Sequence, residues 1–125
     1  MEIDIGALAD LTETSTATLR FYESKELIKS IGRKGLRRQY PFHTVQNIAL
    51  IKILQNGGMT LSQIKNIAIE NAKIKIQRNE ISDTRLEIKN KIDALNKLLM
   101  ILDHIEKCPY YDHLECPDFI KLLEV

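Results

Sequence analysis

A mostly α-helical fold is predicted for this chain, with a small stranded hairpin set among short helices and one long helix near its end. Three observations carry that prediction. Apolar residues recur at alternating four- and three-residue steps from Ile81 to Glu106, a run long enough only for an extended helix. Two short helical patterns lie either side of the polar stretch TETS at 12–15, and two more flank Gly57-Gly58. Between these pairs, the run KSIGRKGLRRQY is broken by two glycines and reads as two short strands. With 125 residues, 44% of them apolar, and only five Gly and three Pro, the chain is ordered and makes one ordinary domain or a small domain with an appendage. A core this small makes self-association a reasonable source of further stability.

Taken in order, Gly6 is expected to cap a short first helix whose Ala7, Leu8 and Leu11 face inward. Ser15 is a good N-cap for a second helix, Thr16 to about Ser24, with Leu19 and Phe21 in the core and Thr16, Thr18 and Arg20 presenting polar tips. Two short helices joined by a tight turn form a helix-turn-helix. The strands around Gly32 to Gly35 then form a wing, which Pro41 ends. A third helix runs from Thr44 to Gln55 and stops at Gly57-Gly58. Thr60-x-x-Gln63 is a capping box opening a fourth, with Leu61, Ile64, Ile67 and Ala68 inward. Lys73 to Asn79 is polar and reads as a joint. In the long helix, Ile81, Ile88, Leu95 and Leu102 form one row and Arg85, Ile92, Leu99 and Glu106 the other, a coiled-coil seam of nearly four heptads. Packing of this helix on its own domain is the alternative, but so narrow a stripe better suits one partner helix, which points to a homodimer. The chain closes with CPYYDHLECPDFIKLLEV, a loop bounded by two Cys-Pro pairs and then one or two helical turns. The expected division is 1–72, a winged helix-turn-helix DNA-binding domain; 73–107, linker and coiled-coil dimerisation helix; and 108–125, an effector loop and short helix.

Charge is concentrated in one segment. Between Thr16 and Tyr40, seven Lys/Arg face two acids, a local +5 in a chain of net +1. Residues 1–65 hold nine Lys/Arg against six Asp/Glu, and 66–125 hold nine against eleven, so the first half faces the polyanion. Duplex DNA is the partner this cluster fits. A non-DNA-binding adaptor is the rival interaction class, and the cations around the wing argue against it. No phosphate-binding Gly loop and no acid pair in an apolar setting occurs, so an enzyme is not indicated. The chain shows neither a membrane-length apolar run nor a secretory signal pattern, and is expected in the cytoplasm.

The order of LRFYESKELI, a wing ending RRQY, GGMTLSQIK, a long helix and a Cys-containing loop resembles the MerR family of bacterial transcription regulators, over essentially the whole chain. That resemblance implies an antiparallel homodimer formed by the long helix, with Ile81, Ile88, Ile92, Leu95, Leu99 and Leu102 at its seam. It implies a pseudo-palindromic operator in an over-spaced promoter, which the dimer bends and untwists for RNA polymerase. Ser15, Thr16 and Thr18 would then lie near the major groove. Arg20 and Tyr22 would grip phosphates, as would Arg33, Lys34, Arg37 and Arg38 in the wing, with the Tyr40 hydroxyl on the backbone. Two departures from the family pattern bear on turn geometry: Glu13-Thr14 where Gly and an apolar residue are common, and Glu26 in place of Gly before Leu27. The wing is most similar to the redox-sensing branch.

Cys108 and Cys116, with seven residues between them and each followed by Pro, instead resemble the loop of the copper-sensing branch. Paired thiolates select a soft monovalent ion, so Cu(I) is the favoured ligand. Three other readings stay open: oxidation of the pair to a disulfide, a Zn site that adds His113 or His104, and a passive loop without an effector. The three-thiolate and four-Cys sites of other branches cannot be assembled from two cysteines.

Overall fold

The computed structural model describes residues 1–124 in two compact units, the first Met1–Ile81 and the second beginning at Ser82. The first unit contains β1 (Glu2–Asp4), α1 (Ile5–Thr12), α2 (Thr16–Ser24), β2 (Gly32–Lys34), β3 (Arg37–Pro41), α3 (Thr44–Asn56), α4 (Leu61–Ala68), β4 (Ile69–Glu70) and β5 (Lys73–Ile74). The long helix α5 (Arg78–Lys107) follows, then a 3-10 turn (His113–Glu115) and α6 (Pro117–Leu123). A mostly helical winged helix-turn-helix is thus what the sequence folds into.

The wing is antiparallel and gains a strand that the sequence does not announce. β3 is central, pairing Ile3 with Tyr40 across β1 and Arg33 with Arg38 across β2. A three-residue β1 is too short to show alternation. It also moves the start of α1: Asp4, not Gly6, is the N-cap, its Oδ1 accepting the Ala7 N–H at 3.0 Å. That bond, ahead of the nearby Arg37, holds the Asp4 carboxyl below its usual pKa.

Both unusual glutamates adopt the left-handed backbone that glycine would supply, Glu13 at φ 51° and Glu26 at φ 63°. Neighbouring contacts offset the strain. Lys52 Nζ donates to the carbonyls of Thr12 at 2.8 Å and Glu13 at 3.2 Å, tying the helix-helix turn to α3, and Glu26 forms an ion pair with Lys65. Leu8, Leu19, Leu27, Ile28, Ile48, Ile51 and Ile64 fill the core between α1, α2, α3 and α4. Phe21 does not join them. It lies about 200° round the helix from Leu19, remains 49% exposed, and carries the Lys25 ammonium 5.5 Å from its ring centroid. The Thr60–Gln63 capping box is present in both directions.

The polar joint is partly a hairpin: β4 and β5 pair antiparallel through Asn71 and Ala72, both with positive φ, and α5 already begins at Arg78. Without a glycine at that turn, the usual sequence signal is missing. Buried Asn47 steadies it by donating from Nδ2 to the Ala72 carbonyl at 2.7 Å. Ala72 sits at φ 58°, so Ala72→Gly is expected to raise stability by about 1 kcal/mol. A urea midpoint that stays put or falls would count against stored strain at this turn.

In the second unit α5 dominates, and none of its described residues is buried. Ile81, Ile88, Ile92, Leu95, Leu99 and Leu102 are all exposed. Leu98 and Ile105, also exposed, widen the apolar surface toward its end. The Cys108 N–H still bonds the His104 carbonyl at 2.8 Å, so the helical path reaches the first cysteine. Cys116 precedes Pro117 at the start of α6, where the missing proline N–H costs nothing.

Candidate nucleic-acid interface and thiol cluster

On α2 the burial of Leu19 and Tyr22 fixes which arc faces out. At about 100° per residue, the exposed Ala17, Arg20, Phe21 and Ser24 share the outer arc, with half-buried Thr16 at its edge. Ser15 is exposed at the N-cap and Arg20 has no ion pair among the described residues. Thr18, half-buried like Thr16, lies at the opposite edge: its hydroxyl sits 2.8 Å from that of Ser15, and its N–H bonds the Ser15 Oγ at 3.1 Å. The Thr18 side chain, expected near the major groove with Ser15 and Thr16, is thus held against the helix cap. Ala17, exposed on the outer arc, has no polar tip to single it out in the sequence; the helical wheel alone places it there.

In the wing, Gly35 at φ 62° makes the tight turn and leaves Leu36 at the tip almost fully exposed. Arg33, Lys34 and Arg37 are exposed, Arg37 with an exposed contact to Asp4 at 3.4 Å. Arg38 is half-buried and lies 3.6 Å from Glu23.

The two tyrosines are corrected. Tyr22 and Tyr40 are buried, and their hydroxyls donate within the unit, Tyr22 to Gln55 Oε1 at 2.8 Å and Tyr40 to Glu23 Oε1 at 2.6 Å. An aromatic ring packs inward wherever the core reaches it, and the hydroxyl then needs an internal partner. Ser30 adds a second hydrogen bond to Glu23, at 3.1 Å. Glu23 thereby joins α2 to the strand of the wing.

Burial, with the Glu23 carboxylate beside it, pushes the Tyr40 phenol up to about 12. An unfolded tyrosine loses its proton near pH 10. Stability from Tyr40 is therefore complete below about pH 10 and lost as pH rises through about 12. Tyr40→Phe is expected to cost about 1–2 kcal/mol at pH 7, and alkaline denaturation should show a shallower fall above pH 10 than in the parent.

At the far end, His104 and Cys108 are one helical turn apart and project from the same face. Their ligating atoms and the Cys116 sulfur all lie within 4.8 Å of one another, with Cys116 Sγ 3.4 Å from His104 Nε2. Cys116 is buried, Cys108 half-buried, and both are free thiols. Burial, then the neighbouring Cys116, raises the Cys108 thiol above its usual pKa. The expected His113 is not in this trio. It packs edge-on to Phe119, which stacks on His104 at 5.8 Å, and its Nε2 is buried without a partner. Two sulfurs and an imidazole nitrogen make a donor set that fits a thiophilic metal ion.

Residues 3–70 match the family described as MerR HTH family regulatory protein. An HTH-type transcriptional activator SoxR homolog from Chromobacterium violaceum is 31% identical over 126 residues, with 88% of this chain and 83% of that protein covered. The mercuric resistance operon regulatory protein of Bacillus cereus is 32% identical over 125 residues, with 94% of each covered. Among solved structures, HiNmlR, a MerR family regulator lacking the sensor domain and bound to promoter DNA, is similar with a TM-score of 0.58 and 26% identity, over 85% of this chain and 86% of that one.

Proposed function

The chain belongs to the MerR family of helix-turn-helix regulatory proteins, and from that premise we propose that it is a transcription regulator that acts as a homodimer on a pseudo-palindromic operator in an over-spaced promoter. Ser15, Thr16, Ala17 and Arg20 enter the major groove on α2, while Arg33, Lys34, Arg37 and Arg38 hold the flanking phosphates. Two copies of α5 pair antiparallel along Ile81, Ile88, Ile92, Leu95, Leu99 and Leu102. A small inorganic or redox signal at Cys108 and Cys116 changes how the bound DNA is bent for RNA polymerase in the cytoplasm.

The observation that supports this most is the coupling of α2, which presents Arg20, to the cationic wing through one residue: Glu23 bonds Tyr40 and lies against Arg38, so helix and wing belong to one body. A groove-entering helix beside a phosphate-gripping hairpin is what such a body presents to a duplex. Thiophilic metal binding rests on the donor set at Cys108 and Cys116. A second reading has its own support in the two clustered free thiols: a peroxide could take two electrons and two protons from them to leave a disulfide.

Footprinting over the protein's own upstream region, in a salt series, tests the reading. Protection of a two-fold related site, with affinity falling steeply as salt rises, is the expected result. Salt-independent association, or none, would leave the adaptor reading in its place.

A further inference from the structure

We propose that His104 is a third metal ligand, converting the Cys108–Cys116 pair into a one-chain Cys2His site for Zn(II). This rests on the reading of that loop as a metal site, and goes beyond it in ligand set and metal class.

The geometry comes first. His104 and Cys108 reach the cluster from consecutive turns of the same helical path, and Cys116 reaches it from the start of α6, so two rigid elements hold the three donors. Tetrahedral Zn(II), with Zn–S near 2.3 Å and Zn–N near 2.0–2.1 Å, requires a sulfur-to-nitrogen edge of about 3.6 Å. Cys116 Sγ and His104 Nε2 stand 3.4 Å apart, close to that edge. Phe119 stacks on the His104 ring with an interplanar angle of 27°, limiting its rotation away from the sulfurs.

Charge and softness agree with the geometry. Two thiolates with one neutral imidazole leave a divalent ion without net charge. A monovalent ion would leave one negative charge beside the buried Cys116 sulfur, in a cleft whose other charged side chains are two acids, Asp103 and Asp118, and one cation, Lys107. Linear Cu(I) chemistry has no use for a third donor, whereas Zn(II) takes imidazole and thiolate together. That cleft leaves one side of the trio open, where a fourth ligand from solvent completes the tetrahedron.

The test uses the full chain, reduced and anaerobic, with Zn(II), Co(II) and Cu(I) added separately against chelators. Co(II) serves as the optical probe, because thiolate charge-transfer bands and tetrahedral ligand-field bands report the donors directly. One Zn(II) per chain is the expected stoichiometry. His104→Gln should weaken Zn(II) by at least about 100-fold, more than loss of an outer partner costs, and shift the Co(II) bands. Cu(I) affinity in that variant should move by less than about tenfold, and His113→Gln should leave Zn(II) unchanged. Wild-type Zn(II) affinity and Co(II) bands in His104→Gln would overturn the proposal, as would Cu(I) binding with no Zn(II) binding, while leaving a two-thiolate site standing. Failure of every ion to bind, or binding that survives Cys108→Ser with Cys116→Ser, would remove the metal reading of the loop as well.

Discussion

Replacing Arg33, Lys34 and Arg37 together by alanine is expected to weaken duplex binding by at least about 100-fold at physiological salt. Each phosphate contact that a cation makes contributes about 0.9 to the slope of log affinity against log salt, so the slope should fall by about 2 to 3 per subunit. Because phosphates carry no sequence, specific and unrelated duplexes should lose affinity by similar factors. The fold should tolerate the change: all three side chains are exposed, and the one ion pair broken, Arg37 with Asp4, is a surface contact worth little. Arg38 is left in place because it lies against Glu23 and supports the wing. An unchanged salt slope with intact structure would remove the wing from the interface.

The second large effect concerns α5. Ile92→Asp with Leu99→Asp should abolish self-association. In a two-fold symmetric seam, two substitutions alter four side chains, each contributing about 1.5–3 kcal/mol when buried. The summed loss of about 6–12 kcal/mol is comparable with the roughly 8 kcal/mol that holds a micromolar dimer together, before the cost of burying four carboxylates is added. Sedimentation velocity would show a monomer, and operator binding would drop with it because two half-sites no longer act together. Leu86→Asp is the comparison: Leu86 is just as exposed but lies off both rows, so that variant should remain dimeric. Equal disruption by all three changes would place the contact on another face of the helix.

What could be read from the sequence depended on how far along the chain the cause lay. The Ser15 cap, the Thr60–Gln63 box and the helical periodicity of α5 are local, and the two caps and the long helix are each present in the fold. Glu13 and Glu26 drew notice as departures from glycine, and both indeed carry the left-handed backbone. Errors came where a distant partner decides. Tyr22 and Tyr40 looked available to DNA because nothing nearby in sequence claims their hydroxyls, yet Gln55 and Glu23 do. The short β1 and the Asn71-Ala72 hairpin exist through pairing and through Asn47, not through any pattern of their own. In the loop, both His113, between the cysteines, and His104, one turn before Cys108, were readable as neighbours of the thiols, and only His104 lies within the trio. The i,i+4 spacing of His104 and Cys108 was the better signal, since helix geometry fixes which side chains meet.

Glu23 has a consequence for timing and cost. By receiving Tyr40, Ser30 and Arg38 from the wing while sitting on α2, it makes helix and hairpin a single two-pronged tool before any duplex arrives. Association then need not freeze one prong relative to the other, an ordering that would otherwise subtract from affinity at every encounter. It also follows that the prongs hold a fixed span. In the binding mode proposed above, a duplex whose groove and phosphates do not match that span would have to twist to fit, which would make the rigidity of one carboxylate's contacts a ruler against which DNA shape is measured.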